Sequence, residues 1–231
     1  MATVYLIPAP LDEEQLEPIP SYILPAVKTC TVLFAENERT ARRYLKKLDR
    51  QIVIDDFEWH TIHKAEQEVQ QRFVKAIQLN KTIGIISEAG CPGIADPGQL
   101  LVGVAHKHGA VVKPLTGPSS VLLALMASGM NGQQFAFVGY LPVDEQQRRK
   151  RLQQLEEYSI KQKSTQVFIE TPYRNNQLLE TILKTCKPST LLCIAADITG
   201  VNEAIQTKTV GAWKNAKPDL HKRPVIFCLM G

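Results

Sequence analysis

Short apolar strands alternate with helical segments through the first half of the chain, and this alternation restricts the fold more than any other feature. The predicted strands share a run of buried-type residues and span 3–7, 31–35, 52–54, 83–86 and 110–115. Residues 64–79 between two of them form a predicted amphipathic helix. Strand and helix in alternation indicate a parallel sheet whose strands are joined by right-handed crossovers. We therefore expect an α/β fold.

The stretch from residue 83 to residue 98 joins a buried strand directly to a tight turn. Two glycines, two prolines and two carboxylates occupy that turn, namely Gly90, Gly93, Pro92, Pro97, Glu88 and Asp96. The glycines permit backbone angles barred to other residues, and the prolines fix their own. Ligands of open α/β sheets bind at the carboxyl ends of strands. The turn is either a ligand loop or a strand-to-helix connection with two helix-capping acids.

A second turn, TGPSS at residues 116–120, follows a predicted strand and precedes the apolar helix VLLALMAS. A helix that is apolar on every side is expected to be buried on every side. Ser119 and Ser120 stand at its amino end, where unpaired N–H groups could join them in holding a ligand. The alternative is that Ser119 is simply the N-cap of this helix and that the turn holds no ligand.

The second half begins with a strand at residues 135–138 and then a charged helix that opens at Asp144. A strand at 167–169 leads into Thr171 and Pro172, a predicted cap and first residue of a helix that ends at residue 186. A buried strand follows at 191–196, and residues 207–210 are expected to pair with 225–229 as antiparallel strands. The break near Gly117 predicts two domains, 1–116 and 117–231, with a ligand cleft between them.

Composition excludes several classes of protein. The 231 residues are 44% hydrophobic and 22% charged, as in ordinary globular proteins. No apolar run reaches the roughly 20 residues that cross a bilayer, and a signal-peptide pattern is missing, so we expect a cytoplasmic protein without a membrane partner. The five cysteines lack paired spacing, which argues against a zinc site or a disulfide framework. His60 and His63 lack a third ligand nearby, and no metal is expected.

Basic residues are clustered although the formal net charge is only +4. One cluster, ERTARRYLKKL at residues 38–48, is strongly helical, with Leu45 and Leu48 toward the core. The densest run is Arg148-Arg149-Lys150-Arg151. Each cluster is either a solvated helix face or a contact surface for a polyanion.

Common catalytic motifs are missing from the chain. There is no GxxxxGK[ST] phosphate loop, no GxGxxG after a strand and no GxSxG nucleophile elbow. Cys91 lies in the first turn, yet the sequence supplies no base to activate its thiol. A transferase that positions a reactive cofactor against its acceptor needs no such pair.

Six motifs, in this order, resemble those of one family: AENERTARRYL, ISEAGCPGIADPG, TGPSSVLLALMASG, FVGYLP, RRKRL and FIETPYR. The family is the class III S-adenosylmethionine methyltransferases, or tetrapyrrole methylases. The most similar branch is that of the bacterial 16S ribosomal RNA cytidine 2′-O-ribose methyltransferases. The resemblance implies two α/β domains with mainly parallel sheets, S-adenosylmethionine in the cleft between them, a homodimer, and small-subunit ribosomal RNA as partner.

The resemblance also assigns residues. Those carried over as cofactor-binding lie at strand ends and turns: Pro8, Glu88, Gly90, Pro92, Ile94, Ala95, Ser119, Ser120, Phe168, Ile169, Ala196, Pro224 and Val225. In the implied reaction a ribose 2′-hydroxyl attacks the sulfonium methyl in line with the departing sulfur, which asks for alignment and proton removal. Candidates for acceptor contact or proton handling are Glu36, Arg39, Glu170 and Arg174.

The chain departs from that branch in several motifs. The amino-terminal turn reads PAPLDEEQLEP where the branch has a pattern like PTPIGNLxD, and AADITG replaces a stretch like ARELTK. Glu88 and Cys91 stand where Asp and Thr are usual. These departures leave two alternatives open: a methyltransferase of a small tetrapyrrole-like acceptor, and a paralog that binds cofactor or RNA without catalysis.

Overall fold

A computed structural model describes residues 1–62 and 66–231 of the chain. These residues form two compact units, Met1–Ser119 and Ser120–Gly231, each of which contains one five-stranded sheet with helices. The expected α/β class with two domains is confirmed. The predicted domain boundary after residue 116 stays a prediction.

The first unit is built on a wholly parallel sheet. Its strands are β1 (Thr3–Ile7), β2 (Val32–Ala35), β3 (Glu58–Thr61), β4 (Thr82–Ile86) and β5 (Val111–Pro114). Its helices are α1 (Ile23–Thr29), α2 (Glu38–Leu48), α3 (Glu66–Gln78) and α4 (Gly98–Lys107). The strand order is β3-β2-β4-β1-β5, and every pairing is parallel. The strand-and-helix alternation predicts this arrangement correctly.

The central strand β4 is buried on both faces. Ile83 and Ile85 pack into one core layer with α3 and α4, and Ile86 packs into the opposite layer beside α1 and α2. Gly84 lies between them, and a Cβ there would come within 2.6 Å of Leu33 Cδ2. The glycine therefore makes room for neighbouring core side chains rather than for a ligand.

The predicted strand at residues 52–54 is wrong. Ile54–Asp56 forms a short 3-10 helix, and the strand that pairs with β2 is Glu58–Thr61. This edge strand has the sequence EWHT, in which only His60 is buried, so it lacks the apolar run that marks a central strand. The indole Nε1–H of Trp59 donates to Ile54 O at 3.0 Å, an ordinary hydrogen-bond distance. This bond connects the 3-10 helix to the strand.

His60 has a structural role. Its ring lies 4.8 Å from that of Phe34, and its Nε2 is 2.9 Å from Glu58 Oε1. Lys81 and His60 hydrogen-bond the Glu58 carboxylate and hold its pKa below the usual range. His63, and the predicted helix start at residue 64, lie outside the described residues. Within the described ranges no group of three or more His, Cys, Asp or Glu could hold a metal ion.

The second unit has a mixed sheet. Its strands are β6 (Phe135–Tyr140), β7 (Thr165–Ile169), β8 (Leu191–Ala196), β9 (Ala204–Thr209) and β10 (Val225–Met230). Its helices are α5 (Ser120–Ser128), α6 (Glu145–Gln162), α7 (Asn175–Thr185) and α8 (Val210–Trp213). The strand order is β6-β7-β10-β8-β9, in which only the β6–β7 pairing is parallel.

This sheet corrects two expectations. The prediction of mainly parallel sheets holds for the first unit and not for the second, because β8 and β9 are joined by a connection too short for a parallel crossover. The predicted pairing of residues 207–210 with 225–229 is also wrong, since β9 and β10 both pair with β8. The wholly apolar β10 takes the central place, and the more polar β9 lies at the edge.

Two helices of the second unit also differ from expectation. The helix predicted to begin at Pro172 begins at Asn175, because residues 171–174 form a turn in which Arg174 N–H donates to Thr171 O. The helix expected to be buried all round, α5, exposes Leu122 and Met126 on one face. Apolar composition did not reveal which side of α5 faces the sheet. Within the described residues no helix is long and apolar enough to cross a membrane.

Arg148, in the densest basic run, is buried. Its Nη1 donates to Val143 O at 2.9 Å, its Nε donates to Thr181 Oγ1 at 3.3 Å, and the residue is 1% exposed. Only Arg149, Lys150 and Arg151 of the run are exposed. The basic run is therefore not a four-residue contact surface, and Arg148 instead fixes the turn before α6 against α7.

We expect Arg148→Ala to lower the free energy of unfolding by about 3 kcal/mol, because it leaves a cavity and removes the donors from buried acceptors. Arg151→Ala, on the exposed side of the same helix, is the matched control and is expected to change stability by less than about 0.5 kcal/mol. Urea unfolding of both variants measures the difference. Equal effects would contradict a structural role for Arg148.

Candidate functional site

The carboxyl ends of β1 and β4 are hydrogen-bonded to each other through the turns that follow them. Ala9 N–H donates to Gly90 O at 2.9 Å, and Gly90 N–H donates to Ala9 O at 3.0 Å. The buried Ser87 hydroxyl also donates to Gly90 O, at 2.6 Å. Gly90 has a φ of 75°, in the left-handed region that favours glycine. The turn at residues 87–91 therefore has a fixed backbone.

The TGPSS turn lies against the same two segments. A Cβ at Gly117 would be 2.1 Å from Pro8 Cβ, so only glycine allows this approach. The Cys91 thiol donates to Pro118 O at 3.4 Å, and the Tyr44 hydroxyl donates to Pro8 O at 2.9 Å. Three turns that are distant in sequence are thus packed together at one edge of the parallel sheet.

Asp96 shapes the turn rather than offering a free carboxylate. Its Oδ1 accepts from Gly93 N–H at 2.9 Å and from Gly98 N–H at 2.6 Å. Gly93 and Ala95 both have positive φ, of 82° and 58°. A non-glycine residue in this region is uncommon and marks a backbone held by its surroundings. Asp96 therefore accepts from the first N–H of α4, although the N-cap residue of that helix is Pro97.

Glu88, in contrast to Asp96, has an exposed side chain at the end of β4. Its Oε1 accepts from Asn37 Nδ2 at 3.1 Å, and its N–H donates to Glu36 Oε2 at 3.2 Å. Asn37 is the N-cap of α2 and accepts from Arg39 N–H at 3.1 Å. The structure therefore brings Glu36, Glu88 and the first turn of α2 together, with the Arg39 side chain exposed nearby.

A small open pocket lies between this edge of the sheet and α2. Its charged lining residues are Glu13, Glu88, Arg43 and Lys47. Arg43 Nη2 is 3.1 Å from Glu13 Oε2, and Lys47 Nζ is 2.8 Å from Glu14 Oε1. The acidic loop that distinguishes this sequence thus pairs with part of the basic face of α2.

The predicted cofactor residues of the first unit divide into two groups. Pro8, Gly90 and Pro92 are buried and form the backbone of the packed turns. Glu88, Ile94 and Ala95 are exposed and present side chains at the same turn. A ligand at this edge would contact the second group, held in place by the first. Ser119 ends this unit and Ser120 begins α5 of the other.

In the second unit, the buried Glu170 and the partly exposed Arg174 form an ion pair directly after β7. Arg174 Nη2 donates to Glu170 Oε1 at 2.6 Å, and Thr171 N–H donates to the same oxygen at 2.7 Å. Glu170 Oε2 is buried and has no hydrogen-bond partner among the described residues. Buried carboxylate oxygens are normally hydrogen-bonded, so this unpaired oxygen is an exception among the described residues.

The strand ends near Glu170 come from β7, β8 and β10. Ile226 pairs with Ile169, and Val225 pairs with Ala196. Because side chains alternate along a strand, Phe168 and Ile169 point to opposite faces of the sheet. Phe168 is fully buried and stacked on Phe227 at 5.8 Å. It can reach a ligand only through its backbone, and the buried Ala196 and Val225 stand next to it in the same core.

Sequence reasoning missed the second ion pair of this edge. Arg223 Nε donates to Asp197 Oδ2 at 2.7 Å, and Asp197 N–H donates to Pro224 O at 3.0 Å. Asn175 Nδ2 donates to Arg223 O at 2.7 Å and joins α7 to the same loop. The only sequence signal was a carboxylate directly after the buried strand β8.

The family model described as Tetrapyrrole (Corrin/Porphyrin) Methylases matches residues 5–213 of the chain. The chain belongs to this family. The matched range contains strands β2 to β9, most of β1 and all the turns described above except the loop around Arg223, whereas β10 lies beyond it.

Several curated relatives are named Ribosomal RNA small subunit methyltransferase I. The protein from Halalkalibacterium halodurans is 30% identical over 78% of this chain and 59% of its own length. The protein from Mesorhizobium japonicum is 34% identical over 70% of this chain and 54% of its own length. The Escherichia coli protein is 26% identical over 99% of this chain and 77% of its own length. The chain thus spans little more than half of the first two relatives.

Solved structures share the fold at low sequence identity. The methyltransferase CobJ is 16% identical with a TM-score of 0.64, over 100% of this chain and 93% of that one. The uroporphyrin-III C-methyl transferase from Thermus thermophilus was solved in complex with S-adenyl homocysteine. It is 16% identical with a TM-score of 0.57, over 99% of this chain and 97% of its own. These likenesses support the architecture of the chain.

We expect Gly117→Ala to destabilise the protein by about 1–3 kcal/mol, because the added methyl group overlaps Pro8. Gly103→Ala is the matched control, since Gly103 lies within α4 with nothing within 4 Å of an added Cβ. Alanine is a better helix former than glycine, so the free energy of unfolding of this control should rise by up to about 1 kcal/mol. Thermal unfolding measures both changes. A stable Gly117→Ala variant would contradict the close approach of the turns.

The Cys91 thiol should react slowly with iodoacetamide at neutral pH. Burial raises its pKa above the usual range, so the thiol is protonated and the thiolate, which is the nucleophile, is scarce. The alkylation rate should therefore rise with pH and keep rising beyond pH of about 8.5, the ordinary cysteine value. Peptide mass spectrometry follows the modification. A rate that is already constant near neutral pH would show an activated thiol.

Proposed function

We propose that this chain is an S-adenosylmethionine-dependent methyltransferase that methylates a ribose 2′-hydroxyl of small-subunit ribosomal RNA. Membership of the tetrapyrrole methylase family and the name shared by its curated relatives support the reaction and the acceptor. The single structural observation that carries the proposal is the buried Glu170 carboxylate, whose Oε2 has no partner in the described part of the chain.

The exposed residues of the packed turns suit the cofactor. The Glu88 carboxylate is fixed through Oε1 by Asn37 and is placed to accept hydrogen bonds from ligand hydroxyls. Ile94 and Ala95 offer an apolar surface beside it, on a backbone that Asp96 holds in place. When bound, the cofactor would supply an electrophilic sulfonium methyl group. Placement of the cofactor between the two domains stays a prediction.

Glu170 is the proposed proton acceptor. The carboxylate is held at Oε1 by Arg174 and by Thr171 N–H. Its Oε2, which is buried in the chain without ligands, would receive the hydroxyl proton once binding of the acceptor opens a path to it. As that proton leaves, the acceptor oxygen forms its bond to the methyl carbon and the carbon–sulfur bond breaks. Positioned proton acceptors contribute typically 10²–10⁴-fold to a rate. Glu36 and Arg39 in the first unit stay proposals for acceptor contact.

Three further proposals follow from the same assignment. The chain forms a homodimer, as the family resemblance implies. It works in the cytoplasm, where a ribosomal RNA acceptor would be. It needs no metal, because in-line methyl transfer asks for alignment and proton removal.

A small tetrapyrrole-like acceptor is the second candidate, since the structures compared include methyltransferases of that class. At 16% identity these structures support the fold alone. Curated relatives up to 34% identical carry the ribosomal RNA name, which favours RNA. A non-catalytic paralog is the third candidate and is excluded by any turnover.

Calorimetric titration should detect binding of S-adenosylmethionine to the intact chain. Ser120→Trp should abolish it, because an indole at the amino end of α5 would fill the space that the assignment gives to the cofactor. Ser189→Trp, at an exposed loop of the same unit, is the matched control and should bind normally. No binding by the parent protein would overturn the proposed function.

Glu170→Gln should lower the rate of labelled methyl transfer to small-subunit RNA by about 10²–10⁴-fold without changing cofactor affinity, because the amide keeps the shape but accepts no proton. Glu180→Gln, an exposed residue on α7, is the matched control and should retain full activity. A normal rate in Glu170→Gln would exclude Glu170 as proton acceptor.

A further inference from the structure

An exposed aromatic side chain stands beside the Glu170–Arg174 pair. Tyr173 is 71% exposed, although it lies between the buried β7 and the buried first residue of α7. Large aromatic side chains are amphipathic and normally bury most of their area. A tyrosine exposed to this degree in a turn next to a candidate reaction centre has its ring available for contact with a ligand.

The loop at residues 219–223 places one aromatic and one positively charged side chain beside Tyr173. The His221 ring lies 5.9 Å from the Tyr173 ring in an edge-on arrangement, at an interplanar angle of 75°. Lys222 Nζ lies 6.0 Å from the centre of the same ring. A cation at this distance interacts with the ring and keeps its own charge accessible to an anion. Both residues are exposed.

Hydrogen bonds hold this loop against the turn that carries Tyr173. Lys222 N–H donates to Pro172 O at 3.1 Å, and Leu220 N–H donates to Asn176 Oδ1 at 2.8 Å. The Asn176 amide in turn donates to Asp219 Oδ1 at 2.8 Å. Lys222 adopts a φ of 60°, which directs the chain back toward the sheet. The aromatic and basic groups are therefore held in place before any ligand arrives.

The Asp219 carboxylate of the same loop stays ionised and is hydrogen-bonded by Asn176 and within the loop. Hydrogen bonds from the Asn176 side chain and from His221 N–H hold its pKa below the usual range and occupy its Oδ1. Arg174 and Arg223, on either side, are each paired with a buried or half-buried carboxylate. Lys222 is thus the cation of this edge that faces solvent.

We propose that Tyr173, with His221 and Lys222, forms a stacking platform for an unpaired nucleobase of the RNA acceptor, and that Lys222 contacts the adjoining phosphate. The proposal rests on the proposed function and names the part of the chain that positions the acceptor. A ring that stacks a base, next to a cation that contacts the backbone, is the usual means of holding single-stranded RNA. A base held at Tyr173 would bring its neighbouring ribose toward Glu170.

Binding of a labelled single-stranded oligoribonucleotide, compared with an abasic oligomer of the same length, tests the stacking step. Fluorescence anisotropy should show the intact chain binding the base-bearing oligomer about tenfold more tightly than the abasic one, a typical contribution of one stacked base. Tyr173→Ala should remove that preference, and Tyr173→Phe should keep it. Tyr158→Ala is the matched control, since Tyr158 is an exposed tyrosine on α6.

The proposed contact between Lys222 and a phosphate is tested by the salt dependence of binding. Lys222→Ala should weaken binding of both oligomers equally and reduce the slope of log affinity against log salt concentration by about 1. An unchanged slope would overturn the phosphate contact. A base preference that survives in Tyr173→Ala, with a normal thermal unfolding curve, would overturn the platform. If Tyr173→Ala unfolds, Tyr173→Trp should raise the preference instead, and a fall would count against stacking.

The same samples separate this proposal from the proposed function. If the intact chain methylates RNA and Tyr173→Ala does so with unchanged KM, the platform is wrong and the function stands. If the intact chain prefers bases through Tyr173 but transfers no methyl group to RNA, the function is wrong and the platform stands. Displacement of the oligomer by uroporphyrin from the intact chain, but not from Tyr173→Ala, would assign the ring to a macrocycle and overturn the RNA proposal.

Discussion

The approach of Gly117 to Pro8 is the constraint on which the first unit depends. A side chain at residue 117 would overlap Pro8, so glycine alone allows the third turn to lie against the first. The Ala9–Gly90 bridge then fixes the second turn on the same edge. Buried turns whose backbone is hydrogen-bonded cannot shift independently. Glu88 and Ile94, which we propose contact the cofactor, consequently stand on a rigid base, which is what a binding site needs.

In the second unit the corresponding constraint is electrostatic. A buried carboxylate is stable only when it is paired and hydrogen-bonded, and Glu170 meets this condition through a single oxygen. The arrangement leaves one buried carboxylate oxygen without a partner among the described residues, close in sequence to an aromatic ring that solvent can reach. Proton acceptance at Glu170 and stacking at Tyr173 would therefore act on adjacent parts of one acceptor.

Sequence patterns and sequence resemblance predicted different parts of this protein. The apolar runs at β4, β8 and β10 and the Gly/Pro turns predicted the α/β class and the positions of the turns, because burial and backbone angles leave direct marks in composition. The same patterns failed at β3, an edge strand with one buried residue, and at α5, whose exposed face is as apolar as its buried face. In both cases the missing information was which neighbour covers the segment.

The sequence by itself determined the strand-and-helix alternation of the first unit, the glycines that its turns require and the family to which the chain belongs. Only the tertiary structure decided that Arg148 is a buried structural residue rather than part of a basic surface. It also decided that Glu170 has a buried oxygen without a partner among the described residues and that Lys222 Nζ lies 6.0 Å from the centre of the Tyr173 ring. Charge and aromaticity are properties of single residues, whereas exposure and partnership arise when distant segments pack together.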